Sequence, residues 1–213
     1  MQKAATPQHN DIVRQRVIDY ATQQFFEFGI RDVTMDAISQ GLKMSKRTLY
    51  QLFSDKEQLI IACIEKELAR SKEMSLKMIE EKQDVITIIL SIIGNRLQIF
   101  KKMSPKFTFD IEHYPQLKAF FETFKQEFYT EGAEFLRQGA VEGSLRSDIN
   151  FDIAVRYIYQ NNMAFTRSTD FQAYKIEEIF FNTGFTFLRG CCTPKGLAAL
   201  EQFYQKYMQE DNA

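Results

Sequence analysis

Apolar residues recur at three- and four-residue steps along most of this chain, the periodicity of helices with one buried face, and strand-like alternation is absent. Val13, Val17, Ala21, Phe25 and Phe28 mark one such stripe, which Gly29 ends. Ala37, Ile38 and Leu42 mark a short second helix that Thr34 can N-cap; Leu49 and Phe53 mark a third, over residues 45–53, that Ser45 can N-cap. Ser54-Asp55-Lys56-Glu57 has the S-x-x-E spacing of a capping box and opens a fourth helix through Leu59, Cys63, Ile64 and Leu68. Longer helices are expected over 84–103, stopping before Pro105, and over 115–142, with Pro115 at its first position and Gly143 as terminator. Others are expected over 151–168 after Asn150, over 172–189 before Gly190, and from Thr193-Pro194 to about residue 209. The pattern predicts an all-α protein. Residues 1–10, polar and with Pro7, read as a flexible arm, 11–56 as a compact head, and 57–213 as a larger helical body.

The third helix is too short to be a core element alone. It buries Leu49 and Phe53 and turns Arg47, Thr48, Tyr50 and Gln51 the other way. With the second helix to brace it and a tight turn between them, it has the parts of a helix-turn-helix. Arg47 can read guanine bidentately, Gln51 can read adenine, and Thr48 can touch a thymine methyl. Thr34, Tyr50, Lys46 and Lys56 suit phosphate oxygens, as do the helix starts at Thr34 and Ser45. A charged face on a short helix is often only a solvated face, and the helical wheel alone does not separate the two readings.

Net charge of −1 gives no global pull toward nucleic acid, but its distribution does. Residues 43–56 carry Lys43, Lys46, Arg47 and Lys56 against Asp55 alone, whereas residues 57–213 hold 19 Lys and Arg against 22 Asp and Glu. A basic tip on an acidic body points one end at a polyanion. No apolar run approaches the ~18 residues that span a bilayer, and the N-terminus has no signal-peptide core, so the expected location is cytoplasmic, with no membrane partner. Cys63 falls on an apolar face as core filling. The adjacent Cys191 and Cys192 read either as two small residues at a helix end or as a redox pair in an exposed turn.

Residues 12–64 resemble the DNA-binding domain of the TetR (tetracycline-repressor-like) family of bacterial regulators. The resemblance rests on Ala21, Phe25, Gly29, Thr34, Ile38, Ser45, Thr48, Leu49, Tyr50, Phe53, Lys56, Glu57 and Leu59, in the family's order and spacing. It implies a homodimer whose paired recognition helices enter successive major grooves of a palindromic double-stranded operator, roughly 34–36 Å apart. It also implies a second domain that binds a small effector and carries the dimer interface, through the helices near 151–168 and 172–189. Two positions depart from the family pattern. Lys43 stands where the family has a turn glycine, and Arg47 where glycine is frequent.

For the effector, the aromatic crowding over residues 100–135 suggests a cavity for a hydrophobic molecule, with Phe100, Met103, Phe107, Phe120, Phe124 and Phe128 as candidates. Tyr157 and Asn161 join them from the helix that carries the polar run Gln160-Asn161-Asn162. Core filling and a solvated face are the plain readings of the same residues. His9 and His113 have no ligand or shuttle spacing, and there is no phosphate-cradling glycine loop or nucleophile signature, so neither catalysis, a metal nor a cofactor is expected. The expected function is a dimeric, effector-controlled transcriptional repressor. The alternative is a helical sensor of a partner protein or lipid whose DNA-binding head is secondary or inactive.

Overall fold

The structure, a computed structural model, describes residues 7–167, 169–171 and 173–211. These residues form eleven α-helices and no strand; the one bridge among them pairs Leu145 with Cys192. The helices divide into two compact units. The first comprises residues 1–70 and 102–121, the second residues 71–101 and 122–213.

In the first unit, α1 (Pro7–Phe28) is followed by the two short helices α2 (Met35–Gly41) and α3 (Lys46–Leu52) and by the start of α4 (Lys56–Glu80). Val17, Ala21 and Phe25 of α1 are buried with Ile38, Leu49, Phe53, Leu59 and Ile60 in this unit's core. The helix α1 begins at Pro7, inside the expected arm, because proline at a first helical position gives up an N–H that has no partner there anyway. Residues 1–6 of the arm lie outside the described residues. Phe28 is 46% exposed instead of inward, and Phe26 takes the buried place, with its ring edge-on to Phe107 at 5.0 Å.

The capping box is also shifted. Asp55, not Ser54, caps α4: its Oδ1 accepts the Gln58 N–H at 2.9 Å. Both residues carry a capping oxygen, and Ser54 spends its hydroxyl on Asp55. Glu57 then turns to a distant partner and accepts the N–H of Gln116 at 2.7 Å.

The segment returning to the first unit contains a helix absent from the expectations, α6 (Pro105–Asp110), then a 3₁₀ turn at Ile111–His113 where a loop was expected. Before that segment in sequence, within the second unit, lies α5 (Val85–Phe100), capped by Asp84 and ending three residues earlier than expected. Pro115 opens α7 (Pro115–Val141), and Gly143 ends it at φ 76, with N–H groups of Gly143 and Ser144 closing onto Ala140 and Gly139.

The second unit packs α5 and the later part of α7 with α8 (Phe151–Arg167), α9 (Ile176–Asn182), α10 (Gly184–Cys191) and α11 (Pro194–Asp211). Its core joins Ile86, Leu90, Tyr129, Val155, Phe185 and Leu200. The helix expected over 172–189 is two helices, starting at Ile176 and broken at Thr183. There the Thr183 hydroxyl donates to Ile179 O at 2.7 Å and its N–H is shared between the Ile179 and Phe180 carbonyls, which interrupts the regular ladder. Glu178 caps α9 by accepting the Lys175 N–H at 3.0 Å. Gly190 lies within α10 and not beyond its end. Residues 168 and 172 of the expected spans lie outside the described residues.

The cysteines sit in the cores. Burial pushes the Cys63 thiol up to about 12 and Cys192 up to about 11, and raises Cys191 as well. Both members of the adjacent pair are buried at the end of α10, so the exposed turn that a redox pair would need is not there. No described helix is long and apolar enough to cross a membrane.

Candidate nucleic-acid interface

The turn between α2 and α3 is closed by its own backbone. Lys43 N–H reaches Gln40 O at 3.0 Å and Met44 N–H reaches Ser39 O at 2.9 Å, with Lys43 in the left-handed region at φ 52. The strain at Lys43 is thus held and not relieved by moving the turn. Gly41 cannot substitute for it, since its role is packing: a β-carbon there would stand 2.0 Å from the Tyr20 hydroxyl. Lys43→Gly should therefore raise stability by about 0.5–1 kcal/mol, the left-handed strain relieved less the entropy glycine adds to the unfolded chain. A urea midpoint equal to or below the parent's would contradict this.

Two caps fix the ends of these helices. Thr34 Oγ1 accepts Ala37 N–H at 3.1 Å, and Ser45 Oγ accepts Thr48 N–H at 3.0 Å while sharing a hydroxyl bond of 2.8 Å with Thr48. Ser45 and Thr48 are therefore spent largely on shaping α3, and Thr48 is half-buried. Leu49 is fully buried beneath the helix, and the Arg14 guanidinium lies over the Phe53 ring at 4.9 Å, pinning the exit of α3 to α1.

On the outer face Lys43, Ser45, Lys46, Arg47, Tyr50 and Gln51 are exposed together, with Thr34 exposed at the start of α2. Their states differ. Arg47 and Gln51 have no partner among the described residues, so both are free for base edges. Lys46 is held by Asp36 of α2 at 2.5 Å, in a pair whose side chains are both at least half exposed. Such a pair contributes little to stability and opens easily, but it sets a carboxylate inside an otherwise basic face. Asp36 is the residue that sequence reasoning missed; nothing local in the chain links it to a lysine ten positions on.

Lys56 stands apart from this face. It is half-buried at the first turn of α4, where desolvation pushes its ammonium below the ordinary lysine value and Asp110 and Asp32 oppose that shift. Asp110 is itself buried and accepts the Arg31 N–H at 2.7 Å, tying α6 to the turn after α1. Ser104-Pro105, which starts α6, has the same cap-then-proline form as Thr193-Pro194, and that signal would have found it.

The effector candidates divide between the two units. Met103, Phe107 and Phe120 belong to the first unit, where Phe107 is core. Phe100, Phe124, Phe128, Tyr157 and Asn161 belong to the second. There Phe124, Phe128 and Tyr159 form a run of rings 5.8–6.2 Å apart, and Tyr157 lies against Phe187 at 4.7 Å on a more exposed face. Asn161 is half-buried, while the side chains of Asn162 and its neighbours to residue 169 lie outside the described part. Among the described residues no group of acidic, histidine or cysteine side chains is arranged to hold a metal.

Residues 17–63 match the family described as bacterial regulatory proteins, tetR family. No curated protein matches the chain at a significant level. Among solved structures, the fold is similar to a transcriptional regulator from Cytophaga hutchinsonii ATCC 33406, with TM-score 0.66 and 22% identity, covering 84% of this chain and 98% of that one. It is also similar to a TetR-family transcriptional regulator from Marinobacter aquaeolei VT8, with TM-score 0.69 and 14% identity over 91% and 98% of the two chains. A third likeness is to a gamma-butyrolactone receptor described as ArpA-like, with TM-score 0.64 and 14% identity over 94% and 98%. At these identities the structural likenesses speak to the fold, while the match over residues 17–63, which include the capped turn and α3, makes the head similar to that of the tetR family of bacterial regulatory proteins.

Proposed function

We propose that the protein is a homodimeric repressor that binds a palindromic operator through α3 and is released by a small, hydrophobic effector taken up in the second unit. The observation that carries the reading is the outer face of α3. There Arg47 and Gln51, with no partner among the described residues, stand beside Tyr50 and Lys43 on a helix fixed by its own caps. Support for the dimer comes from α8, where Ile153 and Tyr157, one helical turn apart, are 65% and 48% exposed while Phe151, Ala154, Val155 and Tyr159 of the same helix are buried. The half-buried rings of Phe124 and Phe128 support an apolar effector, and the related fold that serves a gamma-butyrolactone receptor is consistent with one. Release requires the effector to prefer a separation of the two recognition helices that the operator does not accept, since equal affinity for both states shifts nothing.

The test is binding to the DNA flanking the protein's own coding region across a salt series, with a scrambled duplex as control. Tight, sequence-dependent binding that weakens with salt is expected. Asp36→Asn should strengthen binding roughly threefold to tenfold at low salt, because Lys46 is then free to reach the backbone. The salt dependence should steepen by about 0.9, the slope of one more neutralised phosphate. Binding no tighter than to the scrambled duplex at every salt concentration would count against this end of the molecule as the working one. An unchanged slope in Asp36→Asn would mean that Lys46 does not meet a phosphate.

A further inference from the structure

Within the first unit, the end of α1, the turn after it, the start of α2 and the start of α6 with Ser104 before it line an open cleft of about 440 Å³. Its apolar wall is made by Phe28, Val33 and Ala37, and Phe28 leaves nearly half of its surface in the cleft and solvent although it ends a helix whose other large apolar groups at this end are buried. Aromatic surface left open beside a concavity is what a ligand with an apolar body would cover.

The polar groups decide which ligand. Lys106 and Asp32 both line the cleft, but they neutralise each other at 2.7 Å, and each holds the other toward its charged form. Glu27 lines it too, and its carboxylate has no partner among the described residues. Among the lining residues the uncommitted charge is therefore a single negative one, while Arg31 and Lys56 act on Asp32 from outside the lining. An anion would meet Glu27 with no free cation among the described residues of the cleft to offset it, whereas a cation gains Glu27 and can also lie against the Phe28 ring. A further polar group lacks a partner: Ser104 lines the same cleft, and its hydroxyl oxygen is buried and makes no hydrogen bond among the described residues. A buried hydroxyl left in that state costs free energy that a bound molecule or an ordered water recovers.

We propose that this cleft is a binding site for a small organic cation, an amine or quaternary ammonium with an apolar body. The site is distinct from the aromatic groups of the second unit and does not depend on the operator reading. Ala37 in its wall is the neighbour of Asp36, whose carboxylate holds Lys46, so an occupant touches the helix that braces the recognition face.

The test uses the full chain at constant ionic strength, titrated with benzyltrimethylammonium, with the neutral near-isostere 2-methyl-1-phenyl-2-propanol, and with phenylacetate, read by amide chemical-shift changes. The cation is expected to shift the amides of Phe28 and Ala37 and to bind about fivefold or more tightly than the alcohol, the modest gain of an exposed charge pair with a cation–π contact. Phenylacetate is expected not to bind. Glu27→Gln should bring the cation-to-alcohol ratio close to one while leaving the thermal midpoint unchanged, since the Glu27 carboxylate holds no group among the described residues. Equal binding of cation and alcohol by the parent overturns the proposal, as does an undiminished ratio in Glu27→Gln. Shifts confined to the second unit would place the cation site elsewhere and overturn it equally.

Discussion

Gly196→Ala is expected to destabilise the second unit by about 3 kcal/mol or more, at or above the upper range for overpacking a closed site. A β-carbon at residue 196 would stand 2.1 Å from the carbonyl oxygen of Ser144 and 3.0 Å from its carbon. Neither side can give way. The Ser144 carbonyl receives the Thr193 N–H at 3.1 Å and shares the Thr193 hydroxyl, at 3.2 Å, with the nearer Gly143 carbonyl at 2.7 Å, and Thr193 is the cap of α11 that also accepts the Gly196 N–H. Ser144 is fully buried, with its hydroxyl donating to Gly139 O at 3.0 Å, and its neighbours Leu145 and Arg146 are tied to Cys192 and to the Cys191 carbonyl. Moving the carbonyl therefore loosens the start of α11 and the end of α10 together. Gly190→Ala supplies the contrast, because nothing lies within 4 Å of its β-carbon position. There alanine should be neutral or stabilising by up to about 1 kcal/mol from helix propensity alone. Urea unfolding of both variants decides the matter; equal midpoints would mean that the approach of residue 196 to Ser144 is not a constraint.

Arg47→Ala should weaken operator binding by roughly 1–3 kcal/mol and flatten the preference at one base position in each half-site. Arg47 is the natural choice for such an effect because its guanidinium is exposed and has no partner among the described residues. No competing bond is broken when it engages a base, and none is released when it is removed. Lys46, one residue away, must first leave Asp36. The measurement is competition against operators changed one base at a time. Weakening that is uniform across all of them, including the scrambled duplex, would make Arg47 a phosphate contact and leave Gln51 as the reader.

The helices of the head, and several helix starts of the second unit, were legible in the sequence because their determinants are local. Thr34, Ser45, Asn150 and Thr193 cap helices with oxygens three residues from the N–H groups they accept, and such spacings can be read without a structure. Where two local signals competed, as at Ser54 and Asp55, spacing did not choose between them, and the outcome turned on Glu57 finding a partner fifty-nine residues away in Gln116. The membership of residues 102–121 in the first unit was not legible for the same reason. It rests on Asp110 reaching the Arg31 N–H across seventy-nine residues, and on Ser104 N–H reaching Phe26 O at 2.7 Å. The aromatic candidates were the least legible. Their crowding in sequence carries no information on which rings face one another, and the fold sends Phe107 and Phe128 into different cores. The break at Thr183 shows the limit of periodicity itself, since apolar spacing continues across a point where the hydrogen-bond ladder does not.

The burial of all three thiols has a practical side. With their acidity suppressed and their sulfurs inside the cores, the native cysteines are poor targets for maleimides and spin labels. A single cysteine placed at Gln51 would then carry the label alone, with no background to remove by mutagenesis. In the proposed dimer, distance spectroscopy on such a sample would give the separation of the two α3 helices directly, with and without a candidate effector, in a protein that needs no other alteration.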